Sequence, residues 1–469
     1  MNNLEQTWLP ELVYRNGAFI AGLNVVSDAS GKIARIDPTG THANVSRLAN
    51  RALLPGLINA HSHAFQRVIR GRTEYRTANS RDSFWTWREM MYSAAERLSP
   101  DDLYDASRMA FLEMALNGIT TVGEFHYLHN HAAGTPYDDP NLLAKQVVRA
   151  ARDVGLRIAL LRVAYARSGY QTEVNPQQAR FIESDPDVYL TNLTRLQSDL
   201  ATIDKEAWVG IAPHSIRAVP LEYLQDVISF ANEQQLPVHM HVAEQAAEVS
   251  ACIQEYGRSP VALLETEGLL SERFTGVHVI HITPKAARML ANAKATVCAC
   301  PTTERNLGDG IVPAEIYFKE NVRISLGTDS HTQIDLLEDA RELEYNIRLQ
   351  KMERAVLAPQ DANLADGSIS ALAARLFECA TINGARSVGS PCGQLEINSL
   401  ADFFTVDLND PSIAGSSRDD LLSNIVFSLS RNAIKDVVVG GKQIVADGRH
   451  AAQDEIVERF ASLQRRLWS

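Results

Sequence analysis

Leu53 to Arg67 reads LLPGLINAHSHAFQR, an apolar run that breaks at Pro55-Gly56, resumes through Leu57 and Ile58, and delivers His61-Ser62-His63. Residues i and i+2 of a strand share a face, so both imidazoles can reach one ion. At the carboxyl end of a barrel strand, such a pair begins a metal site. Outward from this stretch the chain alternates strands with helix-length amphipathic segments. Strand candidates centre on Leu57–His63, Thr120–Tyr127, Ile158–Ala164, Val209–His214, Val238–Val242, Gly276–His281, Thr296–Pro301 and Val322–Asp329. Most are apolar throughout, as parallel strands buried on both faces are. Helical stretches separate them, such as SPDDLYDASRMAFLEMALNG, with Ser99 as a cap and Gly118 as a stop. Eight such units predict an α/β protein built on a (β/α)8 barrel.

The flanks read differently. Residues from about 9 to 53 form short strands with turns at Asn16-Gly17, Ser30-Gly31 and Pro38-Thr39-Gly40, and KIARIDP alternates as a half-buried strand does. From about Gly393 short strands return in LADFFTVDL and KDVVVGGKQIVADGRH. The two ends are therefore expected to pair into one small β-sandwich, which divides the chain as 1–53, 54–392 and 393–469. DEIVERFASLQRRLW carries a helical apolar stripe, and AVLAPQDANLADGS reads as a mobile surface loop.

At 469 residues the chain has room for a barrel and a smaller domain. Its 45% hydrophobic and 22% charged content are those of an ordinary globular protein. A net charge of −12 argues against nucleic acid or an anionic membrane as partner. The five cysteines contain no CxxC, which points to a reducing compartment, and Cys298 and Cys300 read as small packing residues. MNNLEQTWLPELVY lacks a basic region followed by an apolar core, and no apolar run approaches the roughly 20 residues of a membrane span. A cytoplasmic soluble protein is expected.

The expected strand ends carry further metal-binding types: His241 in PVHMHVAEQ, His278 in GVHVIHIT and Asp329 in ISLGTDSH. Imidazole and carboxylate ligands suit zinc, with ferrous iron or manganese as substitutes. Two histidines three apart, His278 and His281, cannot both face the barrel from one strand. Glu244, three residues past His241, reads either as a carboxylate in the first turn of a helix or as a proton shuttle.

HSH after LPGLINA, HVAE, VHVIH and LGTDSH resemble the amidohydrolase superfamily over nearly the whole chain. GQLEINSLADFFTVD resembles its re-entry into the sandwich, with Asn398 where glycine is common. The superfamily's two-metal members carry a carboxylated lysine at the fourth strand end, where this chain has APHSIRAV. The resemblance therefore implies one divalent ion, as in the deaminase branch, held by His61, His63, His241 and Asp329. It also places His278, in preference to His281, beside the attacking water, and makes Glu244 the proton shuttle. Such an ion lowers the pKa of water from about 15.7 toward 7. Asp329 and His278 can then take the proton, the hydroxide attacks an sp² carbon bearing an imino nitrogen, and Glu244 protonates that nitrogen.

Substrate has to be read from the remaining strand-end residues: Gln66, Arg88, Tyr127, His214 and Arg217. Two arginines suit a small dicarboxylate, since guanidinium binds carboxylates bidentately. HSHAFQR, DSFWTWREMMY, EFHYLH, HSIRAV and TERNLGDGIVPA together resemble the formimidoylglutamate deiminase family. That resemblance implies hydrolysis of N-formimino-L-glutamate to N-formyl-L-glutamate and ammonia in histidine degradation, by a homodimer. It gives Gln66, Arg88, Tyr127, His214 and Arg217 the glutamate moiety. The loop Thr303–Gly310 departs from the family pattern at Arg305, which leaves its contact with substrate open. The alternatives are a deaminase of a nucleobase, pterin or triazine ring, and a metal-free barrel kept for assembly.

Overall fold

The structure, a computed structural model, describes residues 5–38, 44–76, 83–173, 175–359 and 368–469. The turn expected at Pro38-Thr39-Gly40 and most of the loop expected at 355–368 lie outside these residues. Eight parallel strands make the barrel: β1 Leu57–Ser62, β2 Ile119–His126, β3 Arg157–Ala164, β4 Ala207–Pro213, β5 Val238–Val242, β6 Phe274–His278, β7 Thr296–Ala299 and β8 Arg323–Leu326. They neighbour one another in chain order. Every residue of β1, β2 and β3 is buried, polar ones such as Asn59, Thr120 and Glu124 included, so no apolar–polar alternation marks these strands. The helix Pro100–Leu116 starts on a capping box between Ser99 and Asp102, and Gly118 follows it at φ 77°.

The ring closes at the HSH stretch itself. Past the end of β8, the amide of Asp329 donates to the carbonyl of His61 (3.0 Å) and the amide of His63 donates to the carbonyl of Asp329 (3.1 Å). Asn59 clamps the same seam, donating to Thr328 Oγ1 (2.7 Å) and accepting from the Thr328 amide (3.0 Å). Gly327 allows this approach: a Cβ there would lie 2.7 Å from His61 Cβ and 2.9 Å from its carbonyl oxygen. Gly327→Ala is therefore expected to cost about 1–3 kcal/mol and to lower metal affinity, because backbone must shift under His61. Thermal unfolding and metal titration of the variant check this, and an unchanged melting temperature with unchanged affinity would contradict it.

β6 was expected to run to His281 but stops at His278, because His278 and Val279 take left-handed φ values of 67° and 50°. The amides of Ile280 and His281 turn instead to the carbonyl of Ala243 (3.2 and 3.0 Å). β7 and β8 likewise end before their expected last residues.

The termini meet in a mixed sheet outside the barrel. Phe403–Asp407 pairs antiparallel with Val45–Pro55, Phe403 opposite Pro55 and Asp407 opposite Arg51. This sheet has a core of its own around Trp8, Val25, Ile33, Leu53 and Phe403, with Trp8 edge-on to Phe403 at 5.3 Å. The last helix, Gln453–Trp468, lies on Pro100–Leu116, where Arg108 makes a bidentate pair with Glu455 (2.9 and 2.7 Å). Among the described residues no helix is long and apolar enough to cross a membrane.

Candidate active site

At the carboxyl end of the barrel, ligand atoms of His61, His63, His241 and Asp329 all lie within 4.8 Å of one another, and all four residues are buried. His61 Nε2 stands 3.2 Å from His63 Nε2, and Asp329 Oδ1 stands 3.4 and 3.2 Å from these two nitrogens. Backbone carbonyls choose the tautomers. His63 Nδ1 lies 2.9 Å from the carbonyl of Phe125, and His241 Nδ1 lies 3.0 Å from that of His214. A carbonyl only accepts, so both Nδ1 atoms carry the hydrogen and both Nε2 lone pairs point inward. Burial pushes His61 down to about 3, and burial together with the neighbouring imidazoles holds His241 well below its ordinary value. Asp329 stays ionised: burial opposes this, but contacts from His61 and His63 outweigh it. Imidazole nitrogens and one ionised carboxylate converging at one buried place fit a divalent transition metal.

Around this cluster several backbones are strained. Ala243 (φ 51°), His278 (67°), Asp329 (45°) and His331 (59°) are all left-handed non-glycine residues. The Glu248 carboxylate holds the Ala243–Glu244 turn by accepting both amides at 3.2 Å. Glu244 is thereby directed at the cluster, its Oε1 3.8 Å from His278 Nε2. Burial raises the Glu244 carboxyl, which favours its protonated form.

His278 enters the site and His281 does not; the latter's Nε2 bonds to the Asp309 carbonyl (3.0 Å). His278 Nδ1 bonds to Glu304 Oε1 (3.0 Å), while Nε2 is buried without a hydrogen-bond partner, 3.6 Å from Asp329 Oδ2. Burial favours a neutral ring, but Glu244, Glu304 and Asp329 overcome it and raise His278 well above its usual value. Glu304 was missed as a site residue. It lies not in a loop but in the short helix Pro301–Leu307, whose Arg305 points away from the site and pairs with Glu342 at 2.5 Å. Cys300 packs near His278 and Asp329, and burial raises its thiol well above the ordinary range, so it remains protonated.

A cavity of about 50 Å³ opens on the cluster, lined by Gln66, Arg88, Tyr127, His214, Arg217 and Glu244 among others. All five residues expected to hold substrate thus reach one space. Gln66 Nε2 donates to Tyr127 Oη (2.8 Å), leaving Gln66 Oε1 buried and unpartnered. Arg88 comes from the helix α1, Phe84–Arg97, and Arg217 from the turn after β4. Among the described residues neither guanidinium has a carboxylate within ion-pair distance, and both Nε atoms are buried without a partner. Both side chains are half-buried, and a guanidinium edge left so suits a ligand carboxylate. Tyr165, also missed, lines the same cavity, and its hydroxyl accepts from Gln178 (2.9 Å), which also donates to Tyr92 (2.6 Å).

The amidohydrolase family's sequence pattern matches residues 52–444. The chain is 35% identical to the formimidoylglutamate deiminase of Pseudomonas aeruginosa, over 98% of this chain and 97% of that one. It is 26% identical to a 5-methylthioadenosine/S-adenosylhomocysteine deaminase of Syntrophomonas wolfei, over 92% and 90%. A crystal structure of an amidohydrolase from Brucella melitensis superposes with a TM-score of 0.90 at 31% identity, covering 99% of this chain and all of that one.

Proposed function

The chain belongs to the amidohydrolase family and is a hydrolase of carbon–nitrogen bonds of the deaminase type; from this we propose that it converts N-formimino-L-glutamate to N-formyl-L-glutamate and ammonia. The observation that carries the substrate is the pair of arginines, Arg88 and Arg217, whose Nε atoms are buried without a partner at the cavity beside the His/Asp cluster. A glutamate moiety brings two carboxylates to complete them, and Gln66, Tyr127 and His214 line the remaining wall. Of the substrates in the 26% identical relative's name, 5-methylthioadenosine offers no anion to these arginines and S-adenosylhomocysteine offers one carboxylate, where a glutamate moiety offers two.

We assign His61, His63, His241 and Asp329 to one divalent ion, zinc by its donor set. Such an ion supplies Lewis acidity that brings the pKa of water toward 7. The free Asp329 Oδ2 accepts the proton of the attacking water. His278 sits among three carboxylates that favour its protonated form, so we give it the role of orienting donor and not that of base. Water oxygen bonds to the formimino carbon while Glu244 delivers a proton to the imino nitrogen, turning C=N into a single bond. Asp329 then hands the proton it took from water to Glu244, which delivers it to that nitrogen; the C–N bond breaks, ammonia leaves, and the hydroxyl proton returns by way of Asp329 to Glu244, so both carboxyls regain their starting states. Cytoplasmic location, a place in histidine degradation and a homodimer belong to this same reading.

The test is ammonia release from N-formimino-L-glutamate, N-formiminoglycine and adenosine by metal-loaded protein. Formiminoglutamate is expected to exceed formiminoglycine in kcat/KM by about 10²-fold, the worth of one lost charged contact of about 1.5–3 kcal/mol. Rapid turnover of adenosine with none of formiminoglutamate would sink the assignment.

A further inference from the structure

Arg88 and Arg217 approach one another from different elements, and like charges in a buried cavity repel. What gathers them is an aromatic ring. The Trp85 ring centroid lies 4.4 Å from Arg88 Cζ and 5.8 Å from Arg217 Cζ. Trp85 and Arg88 are three apart on α1 and share a face of that helix, whereas Arg217 arrives from the turn after β4. Phe84 stands edge-on to Trp85 at 5.1 Å and fixes the ring. Trp85 does not itself line the cavity and is 38% exposed.

A guanidinium has two separable recognition surfaces. Its flat face binds an aromatic ring, and its N–H edge binds carboxylate. Both cations lie over the Trp85 ring, and both Nε atoms are buried without partners.

We propose that Trp85 is a positioning residue that holds Arg88 and Arg217 face-on, so that their N–H edges converge on the carboxylate end of the substrate. The inference rests on reading the site as one for a glutamate derivative. It makes Trp85 a determinant of affinity for dianions that never touches the reacting atoms.

The metal-loaded enzyme and its Trp85→Phe, Trp85→Leu and Trp85→Ala variants are titrated with glutarate by calorimetry and assayed on formiminoglutamate. Leu keeps apolar bulk but removes the π face. Trp85→Leu and Trp85→Ala are expected to weaken glutarate binding and raise KM about tenfold while kcat changes less than about threefold, and Trp85→Phe to recover most of the loss. Wild-type intrinsic fluorescence is expected to change on glutarate binding, and this signal to be lost in Trp85→Phe. Undiminished glutarate affinity in Trp85→Leu overturns the inference alone. A wild type that neither binds glutarate nor turns over formiminoglutamate overturns the substrate reading, and this inference with it.

Discussion

Glu244→Gln is expected to fold, to bind its metal and to lose about 10³-fold in kcat. The substitution keeps the shape of the side chain and removes only its capacity to carry a proton. The turn that directs it survives, because Glu248 holds the main-chain amides of Ala243 and Glu244 and not the Glu244 side chain. Glu244 is also outside the His/Asp set, so ion binding has no direct reason to change. A fall in kcat with metal content and melting temperature preserved would separate proton transfer from structure. A variant that keeps more than about a tenth of wild-type turnover would falsify the shuttle role, since acid–base contributions smaller than that are not catalysis of the kind proposed.

Asp329→Asn is expected to have an effect at least as large, by a different route. One carboxylate oxygen faces His61 and His63 at 3.4 and 3.2 Å, and the other faces His278 at 3.6 Å. An amide in that place removes the only anion from the donor set and the base from the reaction. Turnover should drop about 10⁴-fold or more, and bound metal should fall well below roughly one ion per chain. The barrel should persist, because the seam at residue 329 is made by main-chain amide and carbonyl, which the substitution leaves alone. Metal analysis, circular dichroism and the ammonia assay read the three expectations separately. Full metal occupancy with substantial turnover would remove Asp329 from both roles.

Much of this was legible in the chain because its chemistry is written in local strings. His61 and His63 share a face by strand period alone, and continuous apolar runs announce parallel strands buried on both sides. The pairing of both ends followed from β-rich flanks around a barrel-length middle, but the expected sandwich is one mixed sheet, in which Phe403–Asp407 lies beside Val45–Pro55. His278 was separable from His281 only by resemblance, since periodicity says that one of them faces inward but not which.

Other features depend on contacts between residues far apart in sequence, which no local pattern carries. Glu304 meets His278 across 26 positions, and Tyr165 joins Tyr92 through Gln178. The left-handed turn at His278 and Val279 has no glycine to signal it; it exists because the Ala243 carbonyl takes the next two amides. Nothing local in DSFWTWREMMY places both guanidinia over the Trp85 ring. By itself, then, the sequence determined the fold class and the set of donor side chains, because strand period and residue type are local properties. Only the tertiary structure decided which partners orient those donors, which cations lack counter-ions and which ring gathers them, because each is a matter of distance between elements that folding alone brings together.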